Sequence, residues 1–136
     1  MSEEKWAIIT GADGGMGTEI TRAVAAAGYH VITACETRNT KLEVMAVDLS
    51  SMSSAASLAD QILERHLPVS LLMNNAGTME TGLHITADGF ERTVSVNYLG
   101  PYLLTRKLLP VMTRGARLVN MVSCTYAIGR LAFPDF

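Results

Sequence analysis

The sequence predicts an α/β fold built on a doubly wound parallel sheet, on three observations. Short apolar runs alternate along the chain with amphipathic segments, the pattern of parallel strands covered by helices. A glycine-rich turn joins the first apolar run to the first amphipathic segment, Thr10-Gly11-Ala12-Asp13-Gly14-Gly15-Met16-Gly17. No internal repeat, low-complexity tract or linker interrupts the pattern, so residues 1–136 are read as one domain.

In chain order, strands are expected at Lys5–Thr10, His30–Ala34, Leu42–Val47, Val69–Met73 and Arg117–Val122. The first helix is expected over Gly15–Ala27, where Ile20, Ala23, Val24 and Ala27 keep the i, i+3, i+4, i+7 spacing and Gly28 ends it. A second is expected over Ser51–His66, capped by serine and stopped before Pro68. The third is expected to be the longest, Ala87–Thr113, with Thr86 or Asp88 as cap and Phe90, Val94, Leu104 and Leu108 on its buried face. One connection is anomalous. Only Cys35 to Lys41 separate the second and third strands, too few for the usual right-handed helical crossover.

Composition excludes several functions. With 11 basic and 13 acidic residues, a net charge of -2 and 6% aromatics, the chain has neither the basic stripe nor the stacking residues of a nucleic-acid binder. Met1 to Trp6 lacks the cationic-then-apolar order of a secretory signal, and no apolar run has the length of a membrane span. Two cysteines, Cys35 and Cys124, suit a reducing compartment. The expectation is a cytoplasmic chain with no nucleic-acid or membrane partner. His30, His66 and His84 are too dispersed for a metal site, and none is expected.

The glycine-rich turn carries the chemistry. Backbone amides at a helix N-terminus hold a pyrophosphate, and glycines let the main chain approach it. The spacing Gly11, Gly15, Gly17 departs from GxGxxG, and a tight strand-to-helix turn with no ligand is the alternative reading.

With these residues the chain resembles the short-chain dehydrogenase/reductase family, whose TGxxxGxG loop is matched by Thr10, Gly11, Gly15 and Gly17. Asp48-Leu49 resembles the family's adenine-contacting acidic position, and Asn74-Asn75-Ala76-Gly77 its NNAG motif. Asn97 matches the helix asparagine of the catalytic tetrad, and Ser123 the serine that polarises the substrate carbonyl. Gly82 to Leu109 and Ile128 to Phe133 read most like the retinol-dehydrogenase-like branch. The resemblance implies a Rossmann-type sheet in the order 3-2-1-4-5, incomplete at its C-terminal side. It also implies NAD or NADP as cofactor and an NAD(P)-dependent hydride transfer to or from a small alcohol or carbonyl substrate, with homo-oligomerisation left open.

Cofactor contacts implied by the resemblance fall on Thr10, Gly11, Asp13, Gly15, Met16, Gly17, Cys35, Glu36, Asp48, Leu49, Asn75, Ala76 and Gly77, and catalytic ones on Asn97 and Ser123. Cys35 stands at the family's ribose-selecting position. Beside it, Glu36 would repel a 2′-phosphate and Arg38 attract one, a balance that leans to NAD.

Asn97 also draws attention on its own. It falls three residues after Val94 and seven before Leu104, on the expected apolar stripe, where an amide is costly to bury unsatisfied. Pro101, four residues on, has no N–H for the Asn97 carbonyl. In the family that carbonyl holds a water of the proton relay; the alternative is that Asn97 caps the kink.

The family's base is a tyrosine followed four residues later by a lysine. Here Tyr29, Tyr98, Tyr102 and Tyr126 are followed by Thr33, Tyr102, Arg106 and Arg130, so none forms the pair. The family position falls at or beyond Phe136. The chain is therefore expected to resemble the cofactor-binding portion of a dehydrogenase and, by itself, to bind a dinucleotide with little or no turnover. A dinucleotide-binding module without catalysis and a nucleotide-independent interaction domain on the same fold are the competing readings.

Overall fold

The computed structural model describes residues 4–35 and 43–130. Five parallel strands form one sheet in the order β3-β2-β1-β4-β5: β1 Trp6–Thr10, β2 His30–Cys35, β3 Glu43–Ala46, β4 Val69–Asn74 and β5 Met112–Asn120. The order reverses at β1, which places its carboxyl end, and the turn that follows, at the crevice of the sheet.

Alternation along β1 divides the core. Ala7 and Ile9 point to one face, where they pack with Ala12, Val31, Ile20 and Val24 beneath α1 (Gly15–Ala26). Ile8 points to the other, joining Ile32, Leu58, Ile62, Leu104 and Leu108 beneath α2 (Met52–Glu64) and α4 (Gly100–Leu108). Helix α1 ends in a Schellman motif: Tyr29 N–H donates to the Val24 carbonyl and Gly28 N–H to that of Ala25, with Gly28 at φ +87°. Ser51 caps α2 as expected, its hydroxyl accepting from the Ser54 N–H.

The third helix departs from its expected span. It starts at Arg92, not Ala87, because residues 84–91 fold into a small hairpin: Ile85 bridges Glu91, Thr86 N–H donates to the Phe90 carbonyl, and Gly89 takes φ +83°. Neither expected cap acts here. Glu91 does instead, its carboxylate accepting from the N–H groups of Thr93 and Val94, which hold its pKa below the ordinary value. The Asp88 carboxylate accepts from the Met52 N–H, 2.8 Å away, and so caps α2 across 36 residues of chain. Phe90 is exposed rather than buried.

The rod then runs as α3 (Arg92–Val94), a π-helical turn (Ser95–Leu99) and α4, and ends at Leu108 rather than Thr113, with a 3-10 turn over Leu109–Val111. Within the π turn Gly100 N–H bonds to the Ser95 carbonyl, five residues back. The widened turn breaks the 3.6-residue period on which Asn97 was placed in the apolar stripe. Asn97 is exposed, and Ser95 takes the buried position with its hydroxyl donating to the Ser50 carbonyl at 3.2 Å. Gly100 is required where the helix crosses the segment after β3, since a Cβ there would lie 2.6 Å from the Leu49 carbonyl oxygen.

Strand β5 begins five residues before its expected start and stops before Val122. Thr113-Arg114-Gly115-Ala116 carries no apolar alternation and so no strand signal. The short connection flagged between β2 and β3 joins strands that pair in parallel, Ile32 with Glu43 through Cys35 with Ala46. Residues 36–42 themselves, with Glu36 and Arg38, lie outside the described residues, as do residues 131–136. No helix among the described residues is long and apolar enough to cross a membrane.

Candidate dinucleotide site

The turn between β1 and α1 opens onto a cavity of about 410 Å³ at the carboxyl ends of the strands. Its geometry begins with the glycines. Gly11 has φ +62°, and a Cβ on it would sit 2.7 Å from the Ala76 Cα, so the turn and the Asn75-Ala76-Gly77 segment touch backbone to backbone. At Gly17 a Cβ would fall 2.0 Å from the Gly11 carbonyl oxygen and 2.8 Å from the Ala12 Cα. Gly17 is thus required by the turn's own packing. A Cβ on Gly15 meets nothing within 4 Å, so this is the glycine that leaves the main chain open to a ligand.

Helix α1 starts there without a side-chain cap and without an acidic residue in its first turn. Its leading N–H groups are left for a ligand, at the positive end of a twelve-residue helix.

Two residues fasten the turn to β4. The buried Thr10 hydroxyl accepts from the N–H groups of both Asn75 and Ala76 at 3.0 Å, which uses it beneath the cavity rather than in the wall. The Asn75 amide donates to the carbonyls of Thr10 and Gly11 at 3.2 and 3.1 Å. Its buried Oδ1 has no partner, in a residue that lines the cavity. An acceptor left open there and an uncovered backbone at Gly15 both fit a ligand that offers a hydrogen-bond donor and an anion.

The cavity brings together Gly11, Asp13, Gly15, Met16, Gly17, Cys35, Asp48, Leu49, Asn75, Ala76 and Gly77. Cys35 is buried, and burial first, then the negative charge of Asp13, push its thiol above the ordinary value, with a hydrogen bond to Thr33 pulling the other way. Asp48 folds into an Asx turn, its Oδ1 accepting from the Ser50 N–H and hydroxyl at 2.8 and 2.7 Å.

Asn97 and Ser123 are not in that wall. The Asn97 amide grips the main chain of Thr78 instead, accepting from its N–H and donating to its carbonyl, each at 2.8 Å. That pairing neither buries the amide nor caps a kink; it ties the segment after Gly77 to the π turn. Ser123 stands three residues past β5, exposed, at the start of a 3-10 turn (Cys124–Ala127). Its Oγ accepts from the Thr125 N–H at 3.2 Å and the Thr125 hydroxyl at 2.9 Å. With its lone pairs so engaged, the Ser123 proton is free to donate outward.

The same wall contains residues that sequence reasoning did not single out: Ala34, Val47, Thr78, Glu80, Arg92 and Val96. Glu80 accepts from the Thr78 hydroxyl at 3.2 Å and pairs with Arg92 at 3.3 Å. Arg92 is the one cation in a wall with three carboxylates, Asp13, Asp48 and Glu80. A pair twelve residues apart across a loop leaves no spacing signal.

A doubly wound sheet with an uncapped, glycine-opened helix at its switch point is the architecture of a dinucleotide-binding domain. The chain belongs to the short chain dehydrogenase family, which residues 5–134 match. It is 36% identical over 148 residues to retinol dehydrogenase 12 of Homo sapiens and 36% identical over 152 residues to polyprenol dehydrogenase of Danio rerio, covering 96% of this chain and 47% of each relative. The chain thus spans about half the length of these curated relatives. Among solved structures, a blue fluorescent protein from a metagenomic library in complex with NADPH superposes with a TM-score of 0.75 at 26% identity, covering 93% of this chain and 59% of that one.

Proposed function

We propose that this protein is an NAD(P)-dependent oxidoreductase that moves a hydride between the nicotinamide ring and an alcohol or carbonyl carbon of a small-molecule substrate. The observation that carries the reading is the uncapped amino end of α1, open at Gly15, in a cavity whose wall also holds Asn75 with its unpartnered Oδ1. When bound, the dinucleotide supplies the hydride donor or acceptor. The chain's own residues do the rest. The leading amides of α1 hold the pyrophosphate, Asp48 and Leu49 border the adenine, and Asn97 holds the Thr78 segment in place along the cavity. Ser123, whose oxygen already accepts two hydrogen bonds from Thr125, donates its proton to the substrate oxygen.

Within this reading we favour NAD over NADP. Asp13 and Cys35 share the end of the cavity next to β2, and a carboxylate at that end opposes a 2′-phosphate. Relatives named for retinol and polyprenol, both isoprenoid alcohols, support an apolar alcohol or the matching aldehyde as substrate. Titration of the full-length protein with NADH and NADPH, followed by turnover of retinol, a short polyprenol and a polar alcohol, tests both points. Tighter binding of NADPH overturns the NAD preference, and absence of binding to either cofactor overturns the function.

A further inference from the structure

A second cavity, of about 590 Å³, opens at the other end of the sheet, where β1, β4 and β5 begin. Its charged wall residues are Lys5, Arg114 and Arg117, with Glu4 as the one carboxylate. In a chain of net charge -2 this is a local excess of positive charge. It is also uncompensated. Among the described residues, Arg22, Arg65, Arg92 and Lys107 each pair with a carboxylate; Lys5, Arg106, Arg114, Arg117 and Arg130 do not, and three of those five line this cavity.

The backbone holds these cations in place by an irregularity in the sheet. Val69 pairs with Met112 and Leu71 with Arg117, so residues 113–116 bulge out opposite Ser70. Gly115 turns the bulge at φ +81°. The Thr113 hydroxyl ties it to the Val69 carbonyl at 3.4 Å and lies 3.3 Å from the Ser70 Oγ. Arg114 is thereby carried on the bulge, Arg117 enters the strand beside it, and Lys5 comes from the segment leading into β1.

We propose that this cavity binds a dianionic phosphate monoester group. Two guanidiniums each present a planar fork matched to phosphate oxygens, and the ammonium adds a third positive charge. A phosphate monoester carries about -1.5 to -2 near neutral pH, which balances three cations set against Glu4. The group belongs either to a soluble phosphorylated metabolite or to the headgroup of phosphatidic acid. The cavity lies at the end of the sheet opposite the glycine-rich turn, so the two ligands bind without competing.

Titrating the full-length protein with inorganic phosphate, followed by phosphorus NMR, tests the site. Saturable binding is expected, weakened at least about tenfold in the Arg114→Gln/Arg117→Gln double variant. Both residues are exposed, so the circular dichroism spectrum and dinucleotide affinity should be unchanged. Sedimentation with phosphatidylcholine vesicles containing either phosphatidic acid or phosphatidylserine separates the sources. Binding to phosphatidic acid vesicles alone, lost in the double variant, assigns the monoester to a lipid; binding of free phosphate assigns it to a metabolite. If the double variant misfolds, the exposed Lys5→Gln substitution carries the test with a severalfold loss. No binding of phosphate or phosphatidic acid, binding unaffected by these substitutions, or equal binding to phosphatidylserine overturns the proposal.

Discussion

The two ends of the sheet present cavities of opposite construction. At the carboxyl ends, the wall holds three carboxylates and one arginine that is already paired with Glu80, and its anion-binding capacity comes from backbone amides at an uncapped helix. At the amino ends no helix N-terminus contributes: the C-terminal turn of α1 reaches the wall at Tyr29, and three unpaired side-chain cations face one carboxylate. Backbone donors are fixed by the fold and need no side chain at all, which is why glycine rather than arginine marks the first site. Side-chain cations are mobile, hydrated and screened, so the second site depends on charge count and ionic strength.

The largest effect is expected from Gly17→Val. The new side chain would occupy the space of the Gly11 carbonyl, so dinucleotide binding should be abolished and the thermal midpoint lowered, whereas Gly15→Ala should keep the fold and weaken binding only. Titration and thermal melts of both variants check this. Equal behaviour of the two would dissolve the distinction between a packing glycine and a ligand-facing one.

Asn75→Asp comes next. It replaces an amide that donates to two carbonyls with a carboxylate that repels them, and should cost about 2–4 kcal/mol in urea denaturation. Loss of less than half a kcal/mol would show that the turn is held by Thr10 alone.

A thiol reagent gives a smaller, more local readout. Cys35 is buried with a raised pKa and Cys124 is exposed, so at pH 8 iodoacetamide should modify Cys124 at least about tenfold faster. NADH should slow Cys35 further and leave Cys124 unchanged, while inorganic phosphate should affect neither. Protection of Cys35 by phosphate would merge the two cavities into one.

The mildest test is salt. Raising it from 0.05 to 0.5 M should change NADH affinity less than about threefold and weaken phosphate binding about tenfold. Parallel salt dependence would remove the contrast.

Several elements could be read from the chain because their signals are local. The Gly28 stop of α1, the Ser51 cap of α2 and the order of the five strands follow from spacing within a few residues or from a family pattern, and they agree with the structure. Family membership likewise shows in short motifs. The third helix differs from its expected span at both ends for the complementary reason. Phe90 and Val94 have helical spacing, yet Gly89 permits a hairpin that a long-range bond, Asp88 to Met52, holds in place.

By itself, then, the sequence determined the α/β class, the parallel strands, the glycine-rich turn and the identity of the family, all encoded in periodicities and motifs shorter than one element. Only the tertiary structure decided that Gly17 serves packing and Gly15 the ligand, that the π turn exposes Asn97 and pairs it with Thr78, and that Glu80 meets Arg92. It alone gathered Lys5 with Arg114 and Arg117, more than a hundred residues apart, around one cavity. Steric exclusion, hydrogen-bond satisfaction and charge pairing depend on distances of a few ångströms between groups remote in sequence, and those distances exist only once the chain has closed on itself.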